Sequence, residues 1–128
     1  MEQVEFLILR NLLHNEEYVR KVIPFIKADY FENANQRIVF EEILKFVGEY
    51  NQPASKEVLC IETEKRQDIT DTSFKDITDL IGSLEDEPAE FDWLVNTTEK
   101  WCRDRAIYLA LMESIQLADG KDEKKDRD

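Results

Sequence analysis

The stretch that decides the fold runs Lys21-Val22-Ile23-Pro24-Phe25-Ile26-Lys27-Ala28-Asp29-Tyr30-Phe31-Glu32-Asn33-Ala34-Asn35-Gln36-Arg37-Ile38-Val39-Phe40. Pro24 ends or kinks the helix that precedes it, because proline has no N–H to donate within a helix. The aromatic pair Tyr30-Phe31 and an Asn-rich turn follow, and a new amphipathic helix opens at Gln36. The stretch therefore predicts two helices joined by a turn whose aromatic side chains, with Phe40, pack in the core.

The same helical spacing of apolar residues extends over most of the chain. It predicts helices over residues 3–13, from Asn15 to the Pro24 region, from Gln36 to about Tyr50, from Ser55 through Ile61, from Thr72 or Ser73 to Leu84, and from residues 89–92 onwards. Asn15, Ser55 and either Thr72 or Ser73 are predicted to cap the helices that they precede. We expect an all-α fold. Residues 1–90 form a helical head of about five helices, residues 91–118 a long helix, and residues 119–128 a charged loop or disordered tail.

The long helix has more apolar surface than a small head can cover. Residues 106–112 are seven apolar residues in a row, and a helix that is apolar on every side must be covered on every side. Positions with alternating steps of four and three mark a coiled-coil-like stripe: Leu94, Thr98, Trp101, Arg105, Tyr108, Met112 and Ile115. This pattern predicts a helix–helix interface, within or between chains, formed by Trp101, Arg105, Tyr108, Leu111, Met112 and Ile115. The alternative is that the run is simply core.

Charge limits the partners of the chain. The 128 residues carry a formal net charge of −12, and phosphate backbones repel so acidic a surface, so weak or no direct DNA binding is expected. Residues 51–100 hold 5 basic and 13 acidic side chains, a balance of −8. This acidic segment serves solubility or, in the sharper interpretation, docks a basic protein.

Residues for catalysis are not found in the sequence. It has no G-x-x-x-x-G-K-[ST] phosphate loop, and His14, Cys60 and Cys102 show no metal-ligand spacing. No catalytic, cofactor-binding or metal-binding residue is predicted, and His14 is interpreted as a helix-end or surface residue. Both cysteines are expected to be reduced core thiols. No membrane span or signal peptide is apparent, so a cytoplasmic protein is expected.

The chain resembles the N-terminal domain of DnaB-type replicative DNA helicases. Tyr30-Phe31 and Arg37-Ile38-Val39-Phe40-x-x-Ile43 carry the general pattern. A closer similarity, to the helicases of T-even-type bacteriophages, is carried by Lys21-Val22-x-Pro24-aromatic, Tyr30-Phe31-Glu32, Glu49-Tyr50, Pro88 followed by Trp93-Leu94-Val95-x-x-Thr98-Glu99-Lys100, and Arg105-Ala106.

The resemblance implies a role in a larger machine. The intact protein would be a hexameric ATP-dependent helicase that unwinds DNA 5′ to 3′ at the replication fork, in the host cytoplasm. Its N-terminal domain, a head and a helical hairpin, would form a collar that self-associates and contacts the primase and a helicase loader. The long helix would be the first arm of that hairpin, and the second arm is expected to be lacking here. ATP and Mg²⁺ are expected only in a C-terminal ATPase domain outside this chain, so the chain alone is not expected to be an enzyme.

Two other functions remain open on the sequence. One is a stand-alone acidic phage adaptor or DNA-mimic protein that binds a basic host protein, which the acidic segment supports. The other, which we favour least, is a small enzyme with a carboxylate metal site. Its candidate ligands are groups of acidic residues such as Glu41/Glu42, Asp76/Asp79 and Glu85/Asp86/Glu87. Such groups are more often solvated helix faces or helix ends.

Overall fold

The part of the chain that the structure describes is all-α, as predicted. The computed structural model describes the backbone of residues 2–127 and the side chains of residues 3–119. The helices are α1 (Glu2–His14), α2 (Glu16–Val22), α3 (Ala34–Tyr50), α4 (Lys56–Glu64), α5 (Asp71–Gly82) and α6 (Phe91–Arg127). Two short 3₁₀ turns, Ile23–Phe25 and Ala28–Tyr30, connect α2 to α3.

Side-chain caps fix where the helices begin. The Asn15 side chain accepts the Tyr18 N–H at 3.0 Å, and Ser55 Oγ accepts the Val58 N–H at 3.2 Å, so both predicted caps are confirmed. The prediction of Thr72 or Ser73 as the cap of α5 is wrong, because Thr70 Oγ1 accepts the Ser73 N–H at 3.1 Å. Several hydroxyl residues in succession each suit a helix start, and local sequence does not choose among them.

The aromatic turn lies in the core. Phe31 is fully buried, and its ring centroid lies 5.2 Å from that of Phe40 and 4.9 Å from that of Trp101. The Tyr30 ring meets Trp101 edge-on at 5.9 Å. Arg37 Nη2 donates to the Phe31 carbonyl at 3.0 Å and so closes the turn. The predicted core role of Tyr30, Phe31 and Phe40 is confirmed.

One apolar core joins the head to the first half of α6. Each helix contributes fully buried side chains: Ile8, Leu9, Leu12, Tyr18, Phe40, Ile43, Leu59, Ile77, Ile81 and Leu94. The early part of α6 packs against α1, α2 and the 3₁₀ turn Ala28–Tyr30. The proximal half of α6 thus shares one apolar core with residues 1–90.

The helical backbone of α6 continues to Arg127, past the end predicted at residue 118. The sequence suggested a loop or disordered tail over residues 119–128 because that segment has no large apolar residue. Its lysine, glutamate and arginine residues nevertheless have high helix propensity, and one glycine costs only about 1 kcal/mol. Residue 128 lies outside the described part, and the division of the chain into head and arm stays a prediction.

Candidate protein interface

The distal half of α6 stands clear of the head. Every residue from 110 to 119 is exposed. The large apolar side chains exposed between residues 107 and 119 are Ile107, Tyr108, Leu111, Met112, Ile115 and Leu117. So many exposed apolar side chains on neighbouring positions are typical of a surface that another polypeptide covers.

Four of these side chains share one side of the helix. At about 100° per residue, Tyr108, Leu111, Met112 and Ile115 fall within roughly a third of the circumference. They are 47%, 59%, 37% and 53% exposed, respectively. We call these four residues the distal face. Ala110 and Leu117 lie on the opposite side of the same helix. Substitutions there can serve as controls for substitutions on the distal face.

The other two predicted interface residues lie on the proximal half of α6 and pack against the head. Trp101 is only 8% exposed and packs against the Tyr30 and Phe31 rings. Arg105 Nε donates to the Tyr30 carbonyl at 2.6 Å, and its guanidinium lies 4.9 Å from the Tyr108 ring centroid. The predicted stripe therefore has two parts: its first half packs within the chain, and its second half, the distal face, is exposed.

A buried hydrogen-bond chain fixes α6 on α2. Thr98 Oγ1 donates to the Leu94 carbonyl at 2.8 Å, so its proton is already used. Tyr18 Oη, at 2.6 Å, is therefore the donor to Thr98 Oγ1. Burial is the largest cause of the raised pKa of Tyr18, so its hydroxyl stays protonated. Tyr18 thus stays a neutral donor and positions the helix that carries the distal face.

We expect Tyr18→Phe to lower the free energy of unfolding by about 1 kcal/mol, since Thr98 keeps its bond to Leu94. Thr98→Val should cost more, about 1–3 kcal/mol, because the buried Tyr18 hydroxyl then has no acceptor. Urea denaturation followed by circular dichroism measures both. A larger loss for Tyr18→Phe than for Thr98→Val would contradict the assigned direction of the bond.

A groove adjoins the distal face where α1 meets α6. It has a volume of about 460 Å³, and its lining includes Glu5 on α1, Glu32, and Trp101, Arg105 and Tyr108 on α6. Arg105 Nη1 pairs with Glu32 at 3.2 Å. Lys100 and Asp104, also in the lining, pair with each other at 3.5 Å. The cations of the groove are therefore already engaged within the chain.

Glu5 is the functional candidate that sequence reasoning missed. It is 3% exposed, and burial raises its pKa. Glu32 raises the pKa further, whereas the positive charges of the amino terminus and Arg105, together with the Trp101 indole, lower it. The signal in the sequence was its position, because Glu5, Ile8, Leu9 and Leu12 share one helical stripe. A carboxylate on a buried stripe needs an explanation.

The remaining chemical candidates are isolated side chains. His14 ends α1, and its Nε2 contacts the Leu84 carbonyl at 2.6 Å, which confirms the helix-end interpretation. Burial, and secondarily Glu99, raises the pKa of the Cys102 thiol to about 11, and burial also raises the pKa of Cys60. Both thiols are unpaired. Among the described side chains, no group of three or more histidine, cysteine or acidic residues is placed to hold a metal ion.

No helix in the described part of the chain, α6 included, is both long enough and apolar enough to cross a lipid bilayer.

Comparison with known proteins relates the chain to a replicative helicase. No protein-family model matches the chain. The DnaB-like replicative helicase of enterobacteria phage T4 is 32% identical over 111 residues, which are 87% of this chain and 23% of that relative. The chain thus spans about a quarter of the relative's length. The resemblance predicted from the sequence is confirmed.

Proposed function

Because this chain is a relative of the DnaB-like replicative helicases over most of its length, we propose that it is the N-terminal, protein-binding domain of such a helicase. In this proposal the domain binds other copies of the same protein and other replication proteins. The observation that carries this proposal is the distal face, an apolar surface exposed on a helix whose other half is locked into the head.

Self-association through the distal face follows from burial. Four large side chains, each more than a third exposed, gain about 25 cal/mol for every Å² of apolar surface removed from water. Two such helices can interdigitate these side chains as knobs into holes. In the intact protein we propose that this contact contributes to a collar within a hexameric ring.

We propose that ATP hydrolysis by the intact helicase takes place in another domain. The sequence has no phosphate-binding loop, so ATP and Mg²⁺ would be bound in a C-terminal ATPase domain that drives 5′ to 3′ unwinding. We propose primase and a helicase loader as further partners of the collar. With a net charge of −12, this domain contributes little or no affinity for DNA.

Tyr108→Glu combined with Met112→Glu tests the role of the distal face. Two carboxylates placed in a contact between copies must be desolvated and repel their counterparts. We expect self-association, measured by sedimentation equilibrium, to weaken at least about tenfold, which corresponds to about 1.4 kcal/mol. The fold should be unaffected, since both side chains are exposed.

The matched control is Ala110→Glu with Leu117→Glu. It adds the same two charges to the same exposed segment of α6, but on the side away from the distal face. Sedimentation of this variant should match that of the parent. Equal weakening of self-association by both pairs of substitutions would point to net charge as the cause. A parent protein that stays monomeric at high concentration would contradict the proposed contact between copies.

A further inference from the structure

Helices α4 and α5 form a hairpin with an apolar groove between them. Lys56, the first residue of α4, donates from Nζ to the carbonyl of Gly82, the last residue of α5, at 3.0 Å, so the two helices run antiparallel. The groove has a volume of about 370 Å³, and Cys60 and Ile61 of α4 contribute apolar surface to its lining. Ile61 is 55% exposed, whereas isoleucine is among the residue types most often buried. The groove is therefore apolar surface that the described part of the chain leaves uncovered.

Acidic side chains flank this apolar surface. Glu57, Ile61 and Glu64 are spaced four and three residues apart, so they lie on one side of α4 with a carboxylate before and after the isoleucine. Both carboxylates are exposed. α4 and α5 each carry one lysine and three acidic residues, a balance of −2 for each helix. The apolar groove thus lies on a negatively charged hairpin.

The lysines at the two ends of α4 are already engaged within the chain. Lys56 pairs with Glu85, and Lys65 pairs with Glu62, each at 3.3 Å. Within residues 3–119, neither of the carboxylates that flank Ile61 forms a salt bridge. A cation brought by a partner can therefore approach these carboxylates without displacing an existing pair.

We propose that this groove binds an amphipathic helix of a partner protein whose polar face is rich in lysine or arginine. Apolar side chains of that helix, spaced three and four residues apart, would enter the groove, while its basic residues meet Glu57 and Glu64. A second copy of this chain is disfavoured as the occupant, because its net charge is −12. The proposal goes beyond self-association, since the distal face belongs to α6 and no part of it lines this groove.

Fluorescence anisotropy with labelled helical peptides tests the proposal. The probe has leucines along one face of the helix and lysines at the other positions. One reference peptide has glutamate in place of lysine, and a second has the composition of the probe with its leucines scattered around the helix. We expect saturable binding of the probe and at least about tenfold weaker binding of each reference peptide. Equal binding of the scattered peptide would show unspecific charge attraction and overturn the proposal, as would the absence of saturable binding.

An arginine introduced at position 82 tests whether the groove itself is the site. A Cβ atom added to Gly82 or to Gly48 would meet no neighbouring atom within 4 Å, so both positions accept a side chain. Gly82 lines the groove, whereas Gly48 lies on α3 outside it. Gly82→Arg should weaken binding of the probe at least about tenfold through bulk and charge repulsion, and the control Gly48→Arg should leave it unchanged. Both variants should fold, since arginine is a better helix former than glycine.

Glu57→Gln combined with Glu64→Gln tests the role of the flanking carboxylates. We expect at least about a tenfold loss of affinity for the probe. The matched control, Glu49→Gln with Glu99→Gln, removes two exposed carboxylates of α3 and α6 that lie outside the groove. Equal losses in the two double variants would show a general effect of net charge and contradict the proposed site.

The distal-face variant separates this proposal from self-association. Tyr108→Glu combined with Met112→Glu should bind the probe as the parent does, because neither residue lines the groove between α4 and α5. Loss of probe binding in this variant, with Gly82→Arg unaffected, would place the peptide on the distal face and overturn the assignment to the groove. A monomeric parent that binds the probe, and loses it in Gly82→Arg, would support the groove and contradict only the contact between copies.

Discussion

Phe31→Ala is expected to lower the free energy of unfolding by about 3–5 kcal/mol, the range for a large aromatic side chain removed from a core. Phe31 is fully buried between Phe40 of α3 and Trp101 of α6. The substitution would leave a cavity at the point where the head meets the long helix. Rigid helices on two sides of the ring limit how far the cavity can collapse, which favours the upper part of the range.

Chemical denaturation of the variant and the parent measures this loss. Phe25→Ala is the control, because it removes the same side chain from a position that is 55% exposed, and should cost less than about 0.5 kcal/mol. A loss below about 1 kcal/mol for Phe31→Ala would show that the aromatic cluster does not hold α6 on the head.

Arg66→Ala should have the next largest effect, a loss of about 2–4 kcal/mol, because it leaves a buried carboxylate unpaired. Arg66 Nη1 lies 2.7 Å from Oε2 of Glu42, whose side chain is 6% exposed. Arg66 Nη2 also contacts Glu41 at 3.2 Å and Asp68 at 2.7 Å. The hydrogen bond with Asp68 raises the pKa of Arg66 and lowers that of Asp68, so this pair stays ionised.

A double variant separates the effect of the unpaired Glu42 charge from the effect of the lost Arg66 side-chain packing. Arg66→Ala combined with Glu42→Gln should recover part of the loss, since the buried charge is then gone. The control Lys65→Ala removes a neighbouring cation whose side chain is 66% exposed and should change stability by less than about 0.5 kcal/mol. Identical stabilities for the single and double variants would show that the unpaired Glu42 charge is not what destabilises Arg66→Ala.

The sequence predicted the helices well because each helix depends on residues that are close together in the sequence. Apolar spacing defines a helix over any window of a dozen residues, and Asn15 and Ser55 cap helices within three residues of themselves. The pairing of Glu42 with Arg66 joins α3 to the segment after α4. Many acidic side chains are equivalent candidates for such a pair, and only the packing of the helices chooses one.

The candidate interface was predicted in part for the same reason. Heptad spacing marks one stripe along α6, but it does not show where the neighbouring helices stop. The packing of α6 on the core extends to Ala106 and Leu109. Trp101 and Arg105 are therefore engaged within the chain, whereas Tyr108 stays 47% exposed. The groove beside Glu5 was beyond prediction because its walls come from α1 and α6, which are far apart in sequence.

The anchoring of α6 by Thr98 and Arg105 makes the helix a lever. Leu117 lies about 18 Å beyond Arg105 along the axis, at 1.5 Å per residue. A tilt of about 10° at the anchor therefore displaces that point by about 3 Å, most of the depth by which one side chain enters a hole on a facing helix. A small change in packing around Tyr18 and Trp101 would thus cause a larger displacement at the far end of α6. The angular precision of any assembly built on the distal face is set inside the head.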